Sequence, residues 1–153
     1  MRFKSIITGT ALILSSVLTA QAAELPKCIT SHYPNKVIKT QQIVFDAPEI
    51  AERGDIVPVR IDKVLGLSAN VTVRELSLFS EYRKEPLATF VFNNHVGAEQ
   101  LKTRVRIPDN SRLFAVALLS NGQVISGERA IKVTIGGCGG GEGAGESVAK
   151  ASC

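Results

Sequence analysis

One residue in this chain combines a reactive side chain with an unusual setting. Cys138 sits in the stretch Ile135-Gly136-Gly137-Cys138-Gly139-Gly140-Gly141, directly after a well-patterned segment that ends at Ile135. A thiol can form disulfides, hold a sulfur adduct or attack an electrophile as the thiolate. A structural thiol, however, needs a packed neighbour or a partner at fixed geometry. Glycines supply neither; they open backbone regions closed to other residues and leave a narrow chain. Three residue steps separate Cys138 from Ile135, so its Cα reaches at most ~10 Å from the strand end, at roughly 3.3–3.6 Å per residue. No cation lies close by in sequence, and Glu142 and Glu146 disfavour a thiolate. The residues therefore describe a handle on an arm (Gly136, Gly137, Gly139, Gly140) more than a catalytic nucleophile. On composition alone, an incidental tail cysteine and a disulfide staple stay open beside the carrier.

The other cysteines sharpen the question. Cys28, Cys138 and Cys153 make an odd number, so at least one thiol is unpaired within the chain. The chain opens with Arg2 and Lys4, an apolar run from Ile6 to Ala20, and Ala20-Gln21-Ala22. That is the pattern of a secretory signal peptide over residues 1–23. The run is too short and too interrupted for a spanning helix. In Leu25-Pro26-Lys27-Cys28, Lys27 stands where a lipidation box needs a small residue. The expected location is the periplasm, an oxidising compartment in which an exposed free thiol is a liability unless it is used. Cys153 is a candidate resolving thiol, able to close a reversible disulfide with an unloaded Cys138. The other arrangements are a staple between Cys153 and Cys28, or a Cys153 that stays free at a frayed chain end.

Most enzyme chemistries lack their parts. His32 and His95 stand apart, without cysteines or carboxylates at ligand spacing, so no metal site is expected. No nucleophile elbow, phosphate loop or dinucleotide fingerprint is present. The glycine run follows a strand and opens no helix, which argues against a phosphate cradle. Asn70-Val71-Thr72 fits a glycosylation sequon, a pattern too short to weigh. The formal charge of +4 falls to +2 once Arg2 and Lys4 leave with the leader. Basic residues are scattered and aromatic residues few, so nucleic acid is not an expected partner, and neither is a membrane. No cofactor is implied, and the chain reads as a non-catalytic protein.

The elements that must position Cys138 read as strands. Residues 24–41 form an N-terminal segment and residues 42–135 the folded domain. Ile43–Phe45 is a short β-like run, followed by Asp46–Gly54, where Pro48 and Gly54 bracket a possible helical turn. Ile56–Val64 alternates apolar and polar residues, with Arg60, Asp62 and Lys63 at the wet positions, and Val71–Phe79 repeats the alternation. Leu87–Phe92 and Leu101–Ile107 follow. Leu113–Leu119 is almost wholly apolar, as in a strand buried on both faces; Asn121-Gly122 then turns the chain into Val124–Ile135. About seven short strands with regular turn signals, and no convincing amphipathic helix, predict an all-β, immunoglobulin-like antiparallel β-sandwich. It carries a flexible glycine-rich C-terminal arm and extension over residues 136–153. Without Trp or a cysteine inside the strand series, an antibody-type core is excluded.

Ile131 to Gly140, IKVTIGGCGG, resembles the VKVTIGGCGG ending of the SoxY family, the sulfur carriers of the periplasmic Sox thiosulfate-oxidation system. Ala47–Ile61 and Thr103–Gln123 are similar to the family's segments upstream of the arm, so the resemblance covers most of residues 42–140. It implies that Cys138 carries thiosulfate-derived sulfur covalently while other proteins act on it. A c-type cytochrome would join thiosulfate to the thiol, a hydrolase would release sulfate, and the carrier would work in a heterodimer with a SoxZ-like immunoglobulin-like subunit. The chain runs on past the motif, from Gly141 to Cys153. The competing class is a periplasmic immunoglobulin-like binding or interaction module whose cysteines only cross-link.

Overall fold

The computed structural model describes residues 24–93 and 101–135. Their elements run α1 (Lys27–His32), β1 (Ile38–Lys39), β2 (Ile43–Asp46), β3 (Ile50–Arg53), β4 (Val57–Val64), β5 (Val73–Ser80), β6 (Ala88–Val91), β7 (Lys102–Val105), β8 (Ser111–Leu119) and β9 (Val124–Ile135). Two sheets face each other. The larger has the order β1-β9-β8-β5-β6, with β3 also paired to β9; the smaller has the order β2-β4-β7. The all-β sandwich expected from the sequence is thus present. It holds nine strands among the described residues, more than the seven or so counted from turn signals. Two of the additions, β1 and β3, are short and pair with β9 in parallel rather than antiparallel fashion.

Alternation places the inner faces. In β4, Val57, Val59, Ile61 and Val64 are buried while Pro58, Arg60, Asp62 and Lys63 face water. With Ile43 and Phe45 of β2, they meet Leu76, Leu78, Leu113, Ala115, Ala117 and Ile131 of the larger sheet in one core. The close approach of the sheets depends on Gly127 of β9. A Cβ there would lie on the carbonyl oxygen of Ile43 and 2.9 Å from its carbonyl carbon. At the neighbouring position Gln42 N–H donates to the Ser126 carbonyl at 2.9 Å, so the two sheets touch backbone to backbone.

Strand β8 is buried on both faces, as its apolar run predicts. The cover for its second face comes from a source with little sequence signal. Phe79, Phe114, Val116 and Val124 point outward from the sandwich and pack with Cys28, Ile29 and Tyr33 of the α1 region. The helix spans six residues, begins after Pro26 without a side-chain cap, and presents one narrow apolar face. Tyr33 completes it: its hydroxyl donates to Glu75 Oε1 at 3.1 Å. Burial, offset in part by the Ser77 hydrogen bond and reinforced by the Glu75 charge, pushes the Tyr33 phenol up to about 12.

The segment between Pro48 and Gly54 is a strand, not a helical turn. Ala51 is buried and the segment lies along β9, with Ile50 beside Lys132, Ala51 beside Val133 and Arg53 beside Ile135. Ala, Glu and Arg favour helix locally, but an available strand edge offers the backbone hydrogen bonds that an isolated turn lacks. Tertiary pairing overrides the local preference.

Candidate functional site: the root of a thiol-bearing arm

Cys138, Gly136, Gly137, Gly139, Gly140 and Cys153 lie outside the described residues, as does His95. What the structure does describe is the support from which Cys138 departs. β9 is twelve residues long, well beyond the usual five or six, and it is held along its whole length. From Val124 to Ile131 it pairs antiparallel with β8, and at Val124–Ile125 its other flank takes β1. β8 begins at Ser111, opposite Ile131, so beyond that point β9 loses its antiparallel neighbour.

Two substitutes hold the last four residues. On one flank, Lys132 N–H donates to the Glu49 carbonyl at 2.8 Å and β3 continues the pairing up to Arg53–Ile135. On the other, Asn110 Oδ1 accepts the Val133 N–H at 2.8 Å. A side-chain amide thereby takes the place of the missing strand. Gly54, which follows β3, closes the root from below: Ile107 N–H donates to its carbonyl at 2.7 Å. A Cβ on Gly54 would lie on the Ile107 carbonyl oxygen and 2.9 Å from Val133 Cγ1. Ile135, three residue steps from Cys138, is therefore anchored, and the thiol's reach of ~10 Å is measured from a fixed origin.

The root is polar and mixed in charge. Arg53 donates from Nη2 to Asp55 Oδ2 at 2.6 Å and from Nε to Oδ1 at 3.2 Å. This hydrogen-bonded guanidinium holds the Asp55 carboxyl below its ordinary range, with the Arg106 charge adding a smaller pull in the same direction. Alongside β9 a groove of 340 Å³ is lined by Glu49, Ile50, Arg129, Ala130 and Lys132, and Ile50 is 60% exposed there. A second, open groove of 510 Å³ lies on the outer face of the smaller sheet between Asp46, Pro48, Pro58, Arg60, Lys102 and Arg104. Arg60 is already paired with Asp62 at 2.8 Å and Asp46 at 3.6 Å.

The remaining sequence candidates separate from this root. His32 packs its ring edgewise against Tyr33 and Phe79, at 5.0 and 5.3 Å between centroids, on the outer face of the larger sheet. Among the described residues no group of three or more His, Cys, Asp or Glu could hold a metal ion. No helix of the described residues is long and apolar enough to cross a membrane. Cys28, in α1, is buried and disulfide-bonded. The sequence left that pairing open. The sequence reading gave Gly54 only a turn role and did not identify β3, Asn110 or Gly54 as supports of β9, because they reach it only through long-range contacts.

The sulfur carrier protein SoxY from Chlorobium limicola f. thiosulfatophilum has the same fold, with a TM-score of 0.55 and 24% identity, over 71% of this chain and 90% of that one. A superoxide reductase (neelaredoxin) from Ignicoccus hospitalis aligns with a TM-score of 0.49 and 16% identity, over 63% of this chain and 94% of that one. A search of curated proteins gives no match. The family model for sulfur oxidation protein SoxY matches residues 30–138, from α1 through β9 and ending on the arm cysteine itself. With that match spanning most of the folded domain and its support for the arm, the chain belongs to the SoxY family of sulfur oxidation proteins.

Proposed function

We propose that this protein carries thiosulfate-derived sulfur covalently on Cys138 and presents it to partner proteins in the periplasm. What supports the reading most directly is that the family match ends at Cys138, three residues beyond a strand whose last residues are held on both flanks. Belonging to the SoxY family makes the chain a sulfur carrier in sulfur oxidation; the cargo and the partners are the finer part of the proposal. In the loading step the Cys138 thiol and thiosulfate form an S–S bond. The thiol proton is released, and two electrons pass to a c-type cytochrome. Hydrolysis of the resulting thiosulfonate then adds water across the terminal S–S bond. It leaves a persulfide on Cys138 and releases hydrogen sulfate, with no net redox change. A SoxZ-like subunit completes the carrier as a heterodimer.

The chain's own contribution is positional. A carrier thiol must enter several active sites in turn. A glycine arm gives it a small cross-section, while the anchored Ile135 keeps its range short. The N-terminal leader of residues 1–23 delivers the protein to the compartment where thiosulfate is met. Substituting Cys138→Ser tests the reading. Thiosulfate-dependent sulfate formation by the reconstituted system, and the adduct mass on the protein, should both vanish while circular dichroism is unchanged. Continued turnover by the Cys138→Ser protein would refute it.

A further inference from the structure

The free flank of β9 has a gap between β1 and β3. β1 pairs with β9 at Val124 and Ile125, and β3 takes up the pairing only at Lys132. Within the gap, Gln42 N–H donates to the Ser126 carbonyl, and at its far end Lys132 N–H donates to the Glu49 carbonyl. Ser126 and Lys132 therefore turn these peptide groups away from β8. Such groups alternate along an antiparallel strand, which turns those of Glu128 and Ala130 to the same side. Among the described residues no strand pairs with them there. The groove lined by Glu49, Ile50, Arg129, Ala130 and Lys132 opens at this point.

Two cations border it. The Nε of Arg129 is buried and has no hydrogen-bond partner. Its Nη2 lies 4.0 Å from Glu49 Oε1, too far for a hydrogen bond, and the Glu49 side chain is 83% exposed. A guanidinium cannot shed its proton to relieve the loss, and leaving a buried charged donor unpaired is costly. Native structures seldom leave such a group unsatisfied. Lys132 has no ion pair among the described residues. The acidic neighbour Glu128 is turned instead to Arg112, at 3.5 Å.

We propose that this groove binds a tetrahedral oxyanion of the sulfate class, held by the Arg129 guanidinium, the Ala130 N–H and the Lys132 ammonium. Arg129 and Lys132 are an odd number of residues apart, so their side chains leave β9 on opposite faces, while the Ala130 N–H lies in the plane of the sheet. A tetrahedral anion offers acceptor oxygens in all three directions; a planar carboxylate does not. Glu49, exposed and only loosely paired, is the group that yields its place. In a sulfur oxidation protein, sulfate and thiosulfate belong to this class, and phosphate shares their chemistry. The site is built from the folded domain alone and does not depend on what Cys138 carries.

The test titrates sodium sulfate, thiosulfate and phosphate separately into the ¹⁵N-labelled mature protein, with sodium chloride holding ionic strength constant. The Arg129 Nε–H and Ala130 N–H resonances should shift along a saturating curve with at least one of the three, and the ranking of their Kd values names the source. Arg129→Gln should weaken binding by about tenfold or more. Lys132→Gln, at an exposed position that does not disturb the core, should weaken it by about threefold. Arg104→Gln removes the same charge from the groove on the smaller sheet and should leave Kd unchanged. Shifts that fail to saturate with all three anions, or that chloride reproduces, would overturn the site. So would a Lys132→Gln protein that binds as tightly as the parent, or an Arg104→Gln protein weakened as much as Arg129→Gln.

Discussion

Substituting Gly54→Ala should loosen the root of the arm while leaving the arm's own sequence untouched. The added methyl would occupy the position of the Ile107 carbonyl oxygen and press on Val133 Cγ1 at 2.9 Å. Ordinary contact needs about 3.4 Å or more, so backbone must shift by over an ångström. Two features stand in the way of that shift: the Ile107–Gly54 hydrogen bond at 2.7 Å and the parallel pairing of β3 with β9. Overpacking a close contact costs about 1–3 kcal/mol and a lost backbone hydrogen bond about 1 kcal/mol, together about 2–4 kcal/mol. For a domain of this size that is a fall in Tm of roughly 10–15 °C. Thermal unfolding followed by circular dichroism measures it. Gly122→Ala serves as the contrast: its φ is +82° and its nearest neighbour is Lys36 Nζ at 3.8 Å, so it loses only the left-handed preference, about 1 kcal/mol. If Gly54→Ala changed stability by less than Gly122→Ala, the claim that β3 and Ile107 clamp the arm's origin would be wrong.

Three further outcomes are expected. Replacing Gly136 and Gly137 by proline should leave the rate of Cys138 with a small alkylating reagent unchanged but slow sulfur transfer to the large partners by about tenfold, because the backbone is restricted and widened without altering the thiol; equal transfer rates would show that the glycines do not serve access. Val91, 75% exposed on the edge strand β6, is the expected contact for a SoxZ-like subunit, and Val91→Asp should weaken the heterodimer by about tenfold or more in analytical ultracentrifugation, whereas an unchanged Kd would move the interface elsewhere. Since the folded-state phenol of Tyr33 is raised to about 12 and an unfolded one ionises near 10, the unfolded state loses its proton first and stability should fall as pH rises between about 10 and 12; Tyr33→Phe should flatten that decline, and an identical alkaline profile would remove Tyr33 as its cause.

How much of this was legible in the sequence depends on how local each signal is. The alternation of Val57, Val59 and Ile61 with Pro58, Arg60 and Asp62 reports one buried face directly. The unbroken run from Leu113 to Leu119 correctly announces a strand covered on both sides, but not by what. The cover is α1, whose six residues contribute Cys28 and Ile29, with Tyr33 just beyond. Two turns with no capping side chain are too little pattern to detect. β3 is hidden for the opposite reason: Ala51, Glu52 and Arg53 suit a helix, and only the free flank of β9 makes them a strand. The same holds at the site. Cys138 stands out from composition and from cysteine parity, both readable along the chain. Asn110, Gly54 and β3, which fix where that thiol starts from, depend on contacts across the fold.

The anchored origin has a consequence for how partners share the carrier. On the proposal that Cys138 carries the sulfur, a protein acting on it has to bring its reacting centre within ~10 Å of Ile135, plus the length of the adduct. Among the described residues, the surface next to that origin holds Arg53 and Asp55 below the root, with Glu49, Ile50 and Lys132 further along the flank of β9. A partner seated there covers the same residues as the next one. On that proposal successive partners compete for one surface, and the order of steps would be set by which adduct each accepts rather than by separate docking faces. The mixed charge of the root suits that role. Exposed ion pairs such as Arg53–Asp55 contribute little to affinity, which favours short-lived docking at the root. Ile50, 60% exposed, adds a large apolar side chain to this flank among the described residues, a contact that each partner docking there would share.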